Sequence, residues 1–389
     1  MRILFAGSKR QQIPNIMFAL DRMGHEVVFY PKPMEEVSKE EAEVQLRQFI
    51  KNLRIRFVIS NMFSPIMAQL THELDIKYAV YGMDSPYYAT YLPIFPRYDN
   101  CYLFYFDRRE YQMLKDRGCR NVYWLPLAAD VASAQNIAIT DEELEAYTCD
   151  ISFVGGLYGN NQYDELIGRF PEEIQQIFSR IIEQSAFCWD GTDRVTPFLN
   201  PRLLRFIKEI CPELYEAGFD MPDDYFIKTF FLDRKITNVE RTLLVRMLAE
   251  RYDFRLYTWN REKVPEGVNR FPQLSSLTET SKVYYAGRIN LNITLRSIEN
   301  GVPLRVFEIM SVGGFVLSNW QEGIPELFEE GKEIVTFKTP EEMIEKADYY
   351  LSHDEERMRI GINAYQKVKK CYTFEQQIGK IISILFPAL

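Results

Sequence analysis

The sequence predicts a two-domain α/β protein whose sheets are parallel. Short β-branched or aromatic runs alternate with amphipathic helical stretches, which is the pattern of βαβ units. That alternation lapses once, between 128 and 148, and 389 residues suffice for two ordinary cores.

Taken in order, residues 2–7 form a first strand ended by Gly7 and the polar Ser8-Lys9-Arg10. Ile13, Ile16, Met17, Leu20 and Met23 recur at helical spacing, and Gly24 closes that helix. Strands follow at 27–30, 57–60, 78–81, 102–106 and 122–125. Helices are expected at about 35–53, 64–74 and 109–117, the last stopped by Gly118. The stretch 131–149 is small and acidic and reads as a linker, which makes 1–130 a first domain. A second domain spans 150–373. It starts with a strand at 150–154, carries a helical insertion over about 160–250 broken by several prolines, and resumes its sheet at 254–259 and 288–337. Ile378, Ile381, Ile382 and Leu385 line one face of a final helix, 374–389.

The composition narrows the function. Apolar residues make up 47% and charged residues 26%, as in a soluble globular chain. A net charge of −9 argues against a nucleic-acid partner. Six scattered cysteines without a Cys-x-x-Cys pair suggest neither a zinc site nor a disulfide framework, hence a reducing compartment. No apolar run is long enough for a transmembrane segment, and the N-terminus reads as a strand rather than a signal peptide. The expected location is cytoplasmic.

The stretch 288–326 carries the most chemistry. A strand around Asn290–Thr294 leads through a turn-rich loop into a helix bearing Arg305 and Glu308. Gly313-Gly314 stops that helix, a strand follows at 315–317, and Gly323-Ile324-Pro325-Glu326 opens another helix. Loops and helix N-termini at the carboxyl ends of parallel strands are where open α/β sheets take nucleotide phosphates. Arg305 suits a diphosphate, and Glu308 suits the two vicinal hydroxyls of a ribose. Asn292, Thr294, Arg296 and Asn319 flank the same loops, although such side chains also tie down their own backbone. Gly155-Gly156-x-x-Gly159 is a weaker phosphate-approach loop, since backbone without Cβ can come close to an anion. In the first domain, Gly7 and Ser8 mark the equivalent loop, where an acceptor would enter. Asp84, before Ser85-Pro86, is either a turn initiator or a general base. Burial there would raise its carboxyl towards neutrality. No Asp-x-Asp pair occurs, so no metal and no other cofactor is expected.

These residues also carry a resemblance. The run Arg305-x-Phe307-Glu308-Ile309-Met310-x-x-Gly313-Gly314, preceded by Ile289-Asn-Leu-Asn-Ile-Thr294, resembles the CgeB/YkvP-type (spore-protein) glycosyltransferases of the GT-B fold. Asp150–Gly156, Leu125–Ala129 and Gly82–Pro86 look like further landmarks of that family. The resemblance covers nearly the whole chain, weakly over 160–240. It implies two Rossmann-like domains with parallel sheets facing across a cleft, the first for the acceptor and the second for the donor. The C-terminal helix is expected to cross back to the first domain. The implied activity is metal-independent transfer of a sugar from a nucleotide diphosphate, most often a UDP-sugar, to a hydroxyl on a glycan, protein or small molecule. It makes Glu308 the residue that holds the donor ribose. Many related enzymes place a second Glu eight residues earlier, where this chain has Asn300, so inversion or retention stays open. A sugar-nucleotide epimerase or hydrolase, and a non-catalytic spore- or envelope-associated binding protein, are the alternatives.

Overall fold

The structure is a computed structural model. It describes the chain except residues 7–12, 31–38, 93–97, 216, 217, 219, 259–262, 275, 388 and 389. Two compact units result: Met1–Asp130 with Cys371–Leu389, and Val131–Lys370. The stretch read as a linker carries helices Val131–Ala134 and Asp141–Tyr147 and belongs to the second unit. Three of its four acidic residues, Asp141, Glu142 and Glu143, sit in the first turn of the second helix, where Thr140 and Glu143 form a capping box.

In the first unit β1 (Arg2–Phe5), β2 (Glu26–Phe29), β3 (Phe57–Ser60), β4 (Lys77–Gly82), β5 (Cys101–Tyr105) and β6 (Val122–Trp124) form one parallel sheet, in the order β2-β1-β3-β4-β5-β6. Strands β3 and β4 are almost wholly buried, and this explains why they read as continuous apolar runs rather than alternating ones. The Phe374–Leu385 helix starts at a Thr373 capping box and buries Phe374, Ile378, Ile381 and Leu385. It packs on the Ile13–Arg22 helix, where Arg22 pairs with Asp130 at 2.8 Å and with Glu375 at 2.6 Å.

The second unit has β7 (Cys149–Val154), β8 (Phe254–Tyr257), β9 (Arg270–Phe271), β10 (Gly287–Asn292), β11 (Val316–Asn319) and β12 (Val335–Phe337). All are parallel, in the order β12-β11-β10-β7-β8-β9. This is the doubly wound Rossmann order, and the winding reverses between β7 and β10. The insertion between β7 and β8 folds on its own aromatic core, in which Phe170, Phe178 and Phe231 meet at centroid distances of 5.6–6.4 Å. Each unit is thus a six-stranded parallel α/β sheet, as expected of each Rossmann-like half of a GT-B chain. Among the described residues no helix is long and apolar enough to cross a membrane.

Two helical glycines separate sterics from propensity. A Cβ on Gly361, in the Asp354–Cys371 helix, would overlap the Gly313 carbonyl oxygen, whereas one on Gly379, in the Phe374–Leu385 helix, would meet nothing within 4 Å. Gly361→Ala is expected to destabilise by about 2 kcal/mol through overpacking. Gly379→Ala should stabilise by roughly 0.5–1 kcal/mol through helix propensity. Urea denaturation of both variants checks the pair, and equal effects would refute the steric reading.

Candidate nucleotide site of the second unit

The site is built where the strand order reverses. Strand β7 ends at Val154 and releases Gly155 and Gly156. Strand β10 ends at Asn292, and the loop that follows delivers the Leu304–Ser311 helix, whose second residue is Arg305. Both segments leave the carboxyl edge of neighbouring strands, the position at which open α/β sheets bind ligands.

Three contacts fix the Arg305 guanidinium. Its Nη1 donates to Asn292 Oδ1 at 3.1 Å, its plane lies 5.0 Å from the centre of the Phe153 ring, and it hydrogen-bonds with the hydroxyl of Tyr284. A Cβ at Gly155 would come within 2.5 Å of Arg305 Nη2. A side chain at Gly155 would therefore push the guanidinium out of this position. Arg305 is half-buried and, among the described residues, forms no ion pair. One turn on, Glu308 is half-buried too. Burial pushes its carboxyl up to about 7, although the Arg305 charge pulls the other way. Burial also raises the Tyr284 hydroxyl, with the Glu308 carboxylate adding to the effect. A cation and a carboxyl that ionises near neutrality thus stand one turn apart at a helix start.

Other polar residues of the region are spent on holding it. Asn292 is fully buried, and its Nδ2 donates to Thr294 Oγ1 at 3.0 Å and to Ser318 Oγ at 2.9 Å. Asn319 Oδ1 accepts from the Thr294 backbone N–H at 2.7 Å. Asn292, Thr294 and Asn319 therefore lock the β10 and β11 loops together, with Asn292 also aiming Arg305. Arg296 is clamped on Glu240 and on the carbonyls of Cys188 and Ser185.

The glycines divide. Gly156 belongs to the site, and its carbonyl accepts from Arg241 Nη1 at 2.6 Å. Gly313 and Gly314 were expected beside Arg305 but lie at the far end of its helix, at the amino edge of β11. Gly313 ends the helix with φ +76°, and a Cβ at Gly314 would come within 2.8 Å of Ile309 Cγ2 and of the Tyr284 carbonyl oxygen. Their role is packing. Gly323 is demanded by the Asn300 carbonyl, which a Cβ there would overlap. It opens a helix of only four residues, Ile324–Leu327, too short for a strong terminal dipole.

The sequence reading passed over two groups. Arg241, in the Asp233–Ala249 helix, ties Gly156 to the Ile293 carbonyl and lies 5.0 Å from the Tyr158 ring centre. Tyr158 holds a left-handed φ of +59° within this loop, a strain of about 1 kcal/mol or more that such loops carry at binding sites. Only the arginine's place on a buried helix face could have signalled it.

In the first unit Gly7 and Ser8 lie outside the described residues. Asp84 follows β4 and is exposed, so the burial expected to raise its carboxyl is not there. Two groups set its loop. Gly82 is required by the Tyr105 ring, which a Cβ would overlap. The fully buried Glu110 accepts from Ser85 Oγ at 2.9 Å and from the Tyr87 backbone N–H at 3.2 Å. No cluster of three or more metal-ligating side chains occurs among the described residues.

Burial pushes the Glu110 carboxyl from 4.5 up to about 8. The folded state then holds a proton that the unfolded state has lost, so stability falls as pH rises between those values and levels off above them. Glu110→Gln, neutral throughout, should remove roughly 2 kcal/mol of that fall. Melting curves at pH 5 and 8 measure it, and an unchanged slope would refute the assignment.

Comparison with known proteins places this geometry in context. Residues 235–383 carry a domain that matches the family described as glycosyl transferase-like, a match over less than half of the chain. No match is found among curated proteins. Among solved structures, Anabaena HepE in complex with UDP and glucose superposes with a TM-score of 0.53 at 10% identity, covering 99% of this chain and 100% of that one. Sucrose-phosphate synthase from Thermosynechococcus elongatus gives 0.52 at 10% identity, with 100% of each chain covered. The N-terminal domain of Candida albicans trehalose-6-phosphate phosphatase gives 0.51 at 11%, over 99% of this chain and 96% of that one. At such identities the likeness is one of fold, and the family match shows a glycosyl transferase-like domain in the second half of the chain.

Proposed function

We propose that this protein transfers a glycosyl unit from a nucleoside diphosphate sugar to an acceptor hydroxyl, as the CgeB-type glycosyltransferases it resembles do. One observation carries the reading: Arg305, which forms no ion pair among the described residues, stands one turn before Glu308 where the strand order of the second unit reverses. A guanidinium there binds the diphosphate and stabilises the charge that develops as the anomeric C–O bond breaks. The Glu308 carboxylate accepts from the ribose 2′- and 3′-hydroxyls. Asp84 takes the acceptor's proton as its oxygen bonds to the anomeric carbon. Arg305 does the work that a divalent cation does elsewhere, which agrees with a sequence lacking Asp-x-Asp.

UDP is the first nucleotide to test, since HepE was crystallised with UDP and glucose. A ribose held by Glu308 makes the chain prefer UDP to its 2′-deoxy analogue, and Glu308→Gln should erase that preference while costing about 1–3 kcal/mol of UDP binding. Because Glu308 binds as the carboxylate, wild-type affinity should rise as pH increases through about 7, and the Gln variant should show no such rise. Calorimetry with both nucleotides decides, and equal affinities in wild type would overturn the ribose assignment.

For the base, Asp84→Asn should leave UDP affinity unchanged and abolish transfer of labelled sugar to acceptors in a cell extract. Full turnover in that variant would remove Asp84 from the mechanism. Release of free nucleotide at the same rate without any acceptor would favour hydrolysis over transfer.

A further inference from the structure

The insertion and the loop that leads to Arg305 meet in a cluster of buried charges that the proposed mechanism does not use. Lys228 lies on a π-helical turn, Ile227–Leu232, which runs straight into the Asp233–Ala249 helix. In an α-helix the neighbours on one face are i+3 and i+4, and i+5 turns away. A π turn bonds i to i+5 instead. Here the Asp233 backbone N–H donates to the Lys228 carbonyl. The two side chains thereby come together, and the Lys228 ammonium donates to Asp233 Oδ2 at 2.8 Å. The same ammonium meets Glu299 Oε1 at 3.0 Å. The widened turn lets one lysine hold both carboxylates.

Glu299 belongs to the loop between β10 and the Leu304–Ser311 helix, six residues before Arg305. The Asp233–Ala249 helix grips that loop as well. Arg296 pairs with Glu240, and its backbone N–H donates at 3.0 Å to Thr237 Oγ1, which in turn donates to the Asp233 carbonyl at 2.7 Å. From the segment after β11, Gln321 Nε2 donates to the Ile298 carbonyl at 3.0 Å. Beyond Glu299 the loop continues as Asn300-Gly301-Val302-Pro303, which carries no charge. The Glu299 ion pair is therefore the last charged anchor before the helix. Lys228 and Asp233 are buried and Glu299 is half-buried. Burial works against the Lys228 charge, yet Asp233 and Glu299 together hold its ammonium above its ordinary value. Asp193 also feels that charge, but its Oδ1 accepts the backbone N–H groups of Val195 and Thr196. Burying ions in this way adds little to stability, because desolvation offsets the attraction. What the cluster supplies is a fixed position for each charge.

We infer that Lys228 is a positioning residue of the second unit: through Glu299 it holds the loop that sets Arg305. Its effect on diphosphate binding rests on the reading of Arg305 given above; its hold on the loop does not.

Two variants of the full-length chain test it, Glu299→Gln and Lys228→Met, with circular dichroism to check the fold. The first is nearly isosteric and leaves the Lys228–Asp233 pair in place. In the second, the burial that already raises the Asp233 carboxyl keeps it protonated, so no bare charge is stranded. Hydrogen exchange read by mass spectrometry should speed up over 295–305 in each folded variant. Calorimetry should show UDP affinity roughly tenfold lower in each. Because both changes cut one link, the double variant should lose no more than the worse single one. Exchange over 295–305 as slow as in wild type overturns the inference, and either folded variant suffices. Affinity losses that add in the double variant overturn it too. So does the pattern of a merely structural role, in which exchange rises throughout the insertion while the folded protein binds UDP as wild type does. A wild type that binds no UDP, with faster exchange over 295–305 in the variants, would instead support the hold on the loop and remove the nucleotide reading.

Discussion

In the second unit one guanidinium is held still from three sides. Arg305 is aimed by the Asn292 carbonyl oxygen, backed by the Phe153 ring and admitted by the missing side chain of Gly155. Each comes from a different part of the sheet, with Phe153 in β7, Asn292 closing β10 and Gly155 in the loop after β7. A long cationic side chain loses rotamer freedom when fixed in this way. The structure meets that cost in advance, which is how a charged group becomes preorganised.

Around that guanidinium the polar network divides into groups that hold and groups that remain available. Asn292, Thr294, Ser318 and Asn319 satisfy one another in the interior, where an unmatched amide is costly. Arg241 and Arg296 stitch the helical insertion to the sheet by donating to backbone carbonyls. Glu308 is left with a carboxyl poised near neutrality and a single charged neighbour. Such a group changes charge readily when a ligand displaces water from it, as groups tuned for chemistry or binding do.

Much of the fold was legible because parallel strands buried on both faces are written as apolar runs, and the helix ends by Gly24, Gly118 and Pro65. The Arg305–Glu308 pair was legible for a similar reason: a helix start after a strand is a local signal. The glycines were not separable from sequence. Gly155, Gly313, Gly314 and Gly323 look alike in a string of letters, yet one faces a guanidinium, one turns a helix end and two yield to backbone carbonyls. That distinction is made by partners far away in the chain. Arg241 escaped notice because an arginine in an amphipathic helix usually faces water. The short strand β9 is only two residues long, below what alternation can register.

Placing a helical subdomain between two adjacent strands has a cost in time. Strands β7 and β8 pair residue for residue, Ile151 with Phe254 and Val154 with Tyr257, across an excursion of about a hundred residues. Loop-closure entropy opposes that pairing until the excursion is itself compact. The aromatic cluster of Phe170, Phe178 and Phe231 gives the intervening segment a core of its own, which shortens the effective distance between its two ends. Loop-closure entropy therefore favours an order in which the insertion compacts before β7 and β8 pair.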